Sequence, residues 1–274
     1  MVSTLSLLAI CFTLLLSLIL PVIVLLVLMK GRKGTFGVWV AGALGFIVPQ
    51  LVIRIPILQA ISTQTAFQKW TQESPYLYAF ALALTAGLFE TTGRLLVLKA
   101  GLPKKLSYMT GVTAGAGHGG IESIMIVGMT YINNLVISLM INSGRLATLI
   151  PGNPEMAESI RKSLVGTTPD LFVMAGFERV FTMVFQIALS VLMTLLIMKK
   201  HAVLGFFLVM LLHFAVDFSI VILQIEKTSP LVIEGAILIV ALASLVLILK
   251  IRPKFADQLS IPADPGEQAV QDGF

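Results

Sequence analysis

Three pairs of residues in this chain share one spacing: Glu90 and Arg94 in ETTGR, His118 and Glu122 in GHGGIE, His213 and Asp217 in HFAVD. At i and i+4 the two members of a pair stack on one face of a helix. A fourth pair, Glu178 and Arg179, is adjacent in FERV. Carboxylates and imidazoles grouped in this way suit three kinds of chemistry. A glutamate with a histidine partner can take a proton from water and a second histidine can donate to an oxyanion. Histidines with a carboxylate can ligate zinc. Buried acids and histidines in series can also pass protons.

The elements that must carry these pairs are very apolar. The 274 residues are 57% hydrophobic and 12% charged, with a mean hydropathy of +0.97, whereas soluble domains have about a quarter of their residues charged. Runs long enough to cross about 30 Å of hydrocarbon, roughly 20 residues each, fall at 5–29, 35–58, 74–99, 109–140, 168–198, 201–224 and 229–251. The expected fold is therefore all-α, a polytopic bundle of about seven transmembrane helices. Residues 1–251 form the membrane bundle, and 252–274 form a polar tail. No Lys or Arg precedes the first run, which is longer than the apolar region of a signal peptide, so it is kept as a helix.

Positive residues orient the bundle. Lys30, Arg32 and Lys33, then Lys99, Lys104 and Lys105, then Lys199 and Lys200, then Lys250, Arg252 and Lys254 all fall at one end of a seven-helix arrangement. That end is expected to be cytoplasmic, with the amino terminus outside and the carboxyl-terminal tail inside a bacterial plasma membrane. The net charge of +5 then reflects topology and contact with anionic lipid, and no nucleic-acid partner is implied.

An ionised side chain within the hydrocarbon costs about 2.5–3.5 kcal/mol on insertion scales, so those present are expected to face the bundle interior for a reason. At about 1.5 Å of rise per residue, Glu90, His118 and His213 each lie roughly 14–18 Å from the lysine-bearing end. The expectation is two layers: Glu90, His118 and His213 below, in a site opening towards the cytoplasmic half, and Glu122, Asp217, Glu178, Arg179 and Arg54 above them as charge balance. Glu90 with Arg94 also reads as an intrahelical ion pair, and Glu178 beside Arg179 as a link between helices on two different faces. The glycines of GVTAGAGHGG serve either close helix packing or passage of a substrate backbone past His118.

Other hydrolytic arrangements are absent from the sequence. It has no His-Glu-x-x-His zinc motif. Its single cysteine, Cys11, sits among Leu and Phe, Ser143 of INSGR lies near a loop, and Asp217 is the one clear intramembrane aspartate where an aspartyl dyad needs two.

In order, ETTGR, GHGGIE, FERV and HFAVD resemble the four motifs of the YhfC-type intramembrane proteases, a family similar to type II CAAX prenyl endopeptidases, bacteriocin-processing self-immunity proteins and PrsW proteases. The resemblance covers roughly residues 85–220. It implies Glu90 as the base, His118 as its partner, His213 as an oxyanion donor and Asp217 in the place of an Asn, with Arg94, Glu122, Glu178 and Arg179 supporting. CAAX endopeptidases carry a Glu-Glu pair where this chain has Phe89-Glu90.

The resulting expectation is an intramembrane endopeptidase of glutamic type, without a cofactor, acting on a membrane-associated or transmembrane peptide or protein. Its alternatives are a zinc protease with His118, Glu122 and His213 as ligands, a proton-coupled transporter, and a non-catalytic binding protein. Oligomeric state is not legible.

Overall fold

The computed structural model describes residues 1–30, 34–100, 106–149 and 151–259. Arg32, Lys33, Lys104 and Lys105, which carry part of the orientation argument, lie outside the described residues, as does the tail from residue 260. Among the described residues the regular elements are all helices. Seven of them are long and apolar enough to span a membrane. In hydrocarbon the backbone must satisfy its own hydrogen bonds, which a helix does within one segment.

In chain order these helices are α1 (Thr4–Met29), α2 (Thr35–Ser62), the short α3 (Thr65–Glu73) and α4 (Pro75–Ala100). Then follow α5 (Tyr108–Asn142), α6 (Leu146–Leu149), α7 (Pro154–Gly166), α8 (Pro169–Met198), α9 (Ala202–Ile225) and α10 (Pro230–Leu259). The spans match the apolar runs to within a few residues, except that α2 extends to Ser62 and α10 runs on past Arg252 to Leu259. That last stretch is anchored by Phe255, buried edge-on against Tyr108, whose ring also lies 5.9 Å from the Arg252 guanidinium.

Local chemistry starts and stops the helices. α4, α7, α8 and α10 each open with a proline, whose missing N–H and fixed φ suit the first turn. Ser107 and Thr110 form a reciprocal capping box at the start of α5. Lys200 and Lys227 adopt left-handed φ values of 62° and 53° where α8 and α9 end.

The most buried span is α8, which packs against α5, α10, α1 and α9. Large apolar side chains such as Leu26, Leu96, Leu204 and Ile239 are exposed instead, as expected where lipid is the solvent. On the short α3, Phe67 and Trp70 group with Tyr78 of α4, the kind of aromatic cluster that favours the membrane interface.

The glycines of α5 resolve the choice between packing and substrate passage. A Cβ on Gly117 would run into the Trp39 carbonyl of α2, and one on Gly42 of α2 would run into the Ala114 carbonyl of α5. On the other face, a Cβ on Gly115 would come within 2.6 Å of Ile187 Cα in α8, and one on Gly119 within 3.0 Å of the Gln186 Cβ. The helix is pressed between two neighbours, and the space beside His118 is filled by protein.

Three π-helical turns interrupt the spans, at Leu15–Ile19, Ile47–Arg54 and Ser123–Gly128. The second holds Pro49, Gln50 and Arg54, and the third begins one residue after Glu122. Wide turns of this kind occur often at functional sites because they re-aim side chains.

Candidate active site

Glu90 on α4 is buried, and its carboxylate is met by side chains from four other helices. Oε2 lies 3.0 Å from His118 Nε2 of α5, 3.2 Å from Gln186 Nε2 of α8 and 3.5 Å from His213 Nε2 of α9. Oε1 accepts a hydrogen bond from Gln50 of α2. The three residues that the helix rise placed at a common depth therefore do converge.

Glu122 does not belong to a separate upper layer. Its Oε2 accepts from Gln186 Nε2 at 2.8 Å, so one amide bridges it to Glu90. The two-layer expectation fails because side chains several ångströms long close the one-turn difference in height between Glu90 and Glu122. Asp217 also reaches the site, with Oδ2 3.4 Å from His213 Nε2.

Two expected pairings come out differently. Arg94 is not the direct ion-pair partner of Glu90: its Nε donates to Ser190 at 2.9 Å and its Nη2 to the Gln186 side-chain carbonyl. Glu178 and Arg179 do not point apart; they pair with each other, and Arg179 also reaches Glu122 at 3.5 Å. Arg54, expected among the charge balance, donates to Gln50 Oε1, to Thr85 and to the Leu82 carbonyl.

The tautomer of His213 follows from its surroundings. Nε2 faces two carboxylates, while Nδ1 is buried without a hydrogen-bond partner. A buried N–H without an acceptor is costly, so the proton is assigned to Nε2. Phe185 packs edge-on against this ring, 5.9 Å between centroids, and Phe46 does the same for His118 at 5.3 Å.

A cavity of about 460 Å³ adjoins these groups. Glu90, Glu122, Gln186 and His213 line it together with Arg54, Glu178, Arg179 and Asp217, and its apolar wall residues include Leu58, Leu82, Ala83, Val216, Ile220 and Ile237. From Glu90 these wall residues run along α4 towards Pro75, along α9 towards Ile225 and along α2 towards Ser62. The cavity thus extends away from the end that carries Lys30, Lys99 and Lys199, opposite to the expected opening. The lysine-bearing end is where the glycines of α5 draw the helices together and leave no comparable space around His118.

The donor set can hold a metal. Glu90, His118 and Glu122 each offer one ligand atom, and these atoms lie within 4.8 Å of one another. A tetrahedral ion with bonds of about 2.0–2.1 Å needs ligand atoms about 3.3 Å apart, a spacing the 3.0 Å separation of His118 and Glu90 already approaches. One imidazole and two carboxylates suit zinc or another first-row divalent ion. This trio differs from the one expected for zinc: Glu90 stands where His213 was placed, because His213 Nε2 is turned between Glu90 and Asp217.

Gln50, Gln186 and Ser190 went unnoticed in the sequence. The signal was available, since each is a polar residue inside an otherwise apolar run, and the two glutamines are 5% and 3% exposed.

No solved structure matches the chain. A protein of Bacillus subtilis (strain 168) described as uncharacterized membrane protein YhfC is 28% identical over 238 residues, 84% of this chain and 91% of that one. Residues 16–238 match the family described as YhfC intramembrane metalloprotease. That description, with the ligand trio, gives no support to the expectation of a cofactor-free enzyme. With the match spanning five of the seven apolar helices whole and parts of the first and the last, the chain belongs to the YhfC intramembrane metalloprotease family.

Proposed function

We propose that this protein is an integral membrane endopeptidase that hydrolyses a peptide bond in a membrane-associated or transmembrane substrate. Glu90, His118 and Glu122 would hold a divalent cation, zinc by ligand preference. The observation that carries the proposal is the convergence of one imidazole and two carboxylates, within 4.8 Å, with both carboxylates lining a cavity whose walls are largely apolar. A cation bound there would polarise a carbonyl oxygen and make water at the site more acidic.

The chain's own groups supply the rest. The apolar walls bind substrate side chains and exclude bulk water, which strengthens every polar contact inside. His213 lines the cavity, and its Nε2–H, turned between Glu90 and Asp217, can donate to a substrate carbonyl bound there and stabilise developing negative charge. Asp217 sits beside it at 3.4 Å with its side chain 34% exposed, so it faces the open part of the cavity and holds the imidazole as a hydrogen-bonding partner. Arg179 offsets the charge of Glu122 and Glu178.

The lysine clusters support an arrangement with the amino terminus outside and the lysine-bearing end cytoplasmic. The cavity then opens towards the outer face. The partners are the bilayer and a membrane peptide or protein.

A second reading keeps Glu90 and His118 as a water-activating pair without metal. It is favoured by the direct 3.0 Å contact between His118 and the Glu90 carboxylate, which Gln50 and Gln186 hold in place. Purified protein incubated with a library of membrane peptides, read by mass spectrometry with and without a chelator, tests both. Cleavage that disappears on chelation and returns with zinc supports the metal enzyme. Cleavage indifferent to chelation supports the glutamic one, and absence of cleavage across a broad library counts against a protease.

A further inference from the structure

Glu90 is held by two arrangements of the same kind. On one side Arg54 Nη1 donates to Gln50 Oε1 at 3.1 Å, and Gln50 Nε2 donates to Glu90 Oε1. On the other, Arg94 Nη2 donates to Gln186 Oε1, and Gln186 Nε2 donates to Glu90 Oε2 at 3.2 Å and to Glu122 Oε2 at 2.8 Å. An amide can present either its oxygen or its nitrogen, and the two look alike in shape. A guanidinium, which has donors only and stays charged, removes the ambiguity: the amide end it touches must be oxygen. The other end is then N–H, turned to the carboxylate. We propose that Gln50 and Gln186 are positioning residues for Glu90, each locked in its donating orientation by the arginine behind it.

The surroundings favour this over incidental polarity. Both glutamines are buried, as are Glu90 and Arg94, so their partners are protein groups and a reversed amide would set oxygen against oxygen. Arg94 is further fixed by Ser190, one turn of α8 beyond Gln186. Space for the Gln186 side chain depends on Gly119, where a Cβ would approach Gln186 Cβ to 3.0 Å and Cγ to 3.3 Å. On α2 the π-helical turn Ile47–Arg54 carries both Gln50 and Arg54, and Pro49 within it packs at Gly93 of α4. The two clamps grip opposite carboxylate oxygens and so fix both the position and the rotation of the Glu90 head group. Groups that orient a reacting or ligating carboxylate in this way are worth about 10–100-fold when removed.

The kinetic arm of the test rests on the hydrolase reading; the stability arm does not. Gln50→Met and Gln186→Met preserve length and remove the donor. Each is made in the native protein and in the Glu90→Met background, and Tm is measured in detergent micelles for all variants. The expected result is a loss of about 2–4 °C for either glutamine change in the native background and a clearly smaller loss when Glu90 is absent. Equal losses in the two backgrounds overturn the proposal, because they show no coupling to Glu90. On a substrate that the native protein cleaves, kcat is expected to fall about 10–100-fold for each glutamine variant with KM within about twofold. Arg94→Lys, which keeps the charge and a donor but not the planar fork, is expected to fall between the native protein and Gln186→Met. An unchanged kcat in both glutamine variants overturns the positioning role even if Tm is coupled. If the native protein cleaves nothing, the hydrolase reading fails and the stability cycle alone decides whether the clamps hold Glu90. Should one variant fail to fold, the other glutamine supplies an independent cycle.

Discussion

The two ends of this bundle are built on opposite rules. At the lysine-bearing end α5 lies so close to α2 and α8 that Gly117, Gly115 and Gly42 have no room for a methyl group. At the other end the last turns of α2, Ile55–Ser62, bury no residue at all, and the helices part around a cavity of about 460 Å³. Glu90, His118 and His213 sit at the boundary. In lipid no hydrophobic force drives apolar helices together, so close approach comes from small residues and polar links. The tight end supplies a rigid support for the ionisable groups, and the loose end supplies access to them.

The largest effect should come from the boundary itself. Glu90→Gln keeps the shape of the side chain and removes the carboxylate, so turnover is expected to fall by about 10³-fold or more, while the variant elutes as the native protein does in size-exclusion chromatography. Native-like turnover would take Glu90 out of the chemistry.

Next, the contrast between the ends can be broken directly. Gly117→Leu pushes a side chain into the α2 backbone at Trp39 and is expected to cost about 3 kcal/mol or more, visible as loss of folded protein. Gly235→Ala, near the cavity end in α10, meets nothing within 4 Å, and replacing a helical glycine there is expected to raise stability by up to about 1 kcal/mol. If the two substitutions behaved alike, the division into a packed and an open end would be wrong.

The open side of the site should show a graded response. His213→Ala removes the Nε2–H donor and is expected to cost about 10²-fold in kcat. Asp217→Asn keeps a hydrogen-bonding partner of the same shape beside His213 and is expected to stay within about tenfold of native. A stable but inactive Asn variant would show that the carboxylate charge of Asp217 is required, as acid or base, in place of its shape.

The smallest effect belongs outside the membrane. Arg161 donates through Nε and Nη2 to both carboxylate oxygens of Glu158 in α7, and the arginine holds the Glu158 carboxyl below its ordinary range. Such a depressed acid favours folding above its unfolded pKa, and the contribution fades as pH falls through the lower folded value. Because the pair is solvent-exposed and screened, Glu158→Ala is expected to leave Tm and turnover unchanged, which thermal scans at two salt concentrations would check.

The membrane class, the seven spans and the meeting of Glu90, His118 and His213 were legible in the sequence for a definite reason. Hydrocarbon admits few alternatives to a helix, and an ionisable residue stands out against an apolar run. Helix rise is regular enough that three residues on three helices could be assigned one depth. The sequence by itself could not rotate the helices about their axes or tilt them. That is why Glu122 was placed in a second layer, why Glu178 and Arg179 were set on different faces, and why the glycines beside His118 were offered to a substrate. Only the tertiary structure decided that Glu122 joins Glu90 and His118, that Arg94 reaches Glu90 through Gln186, and that the cavity runs away from the lysines. Each of these depends on which face of one helix meets which face of another. Side-chain spacing along a single chain carries no such information, and close packing between helices fixes it.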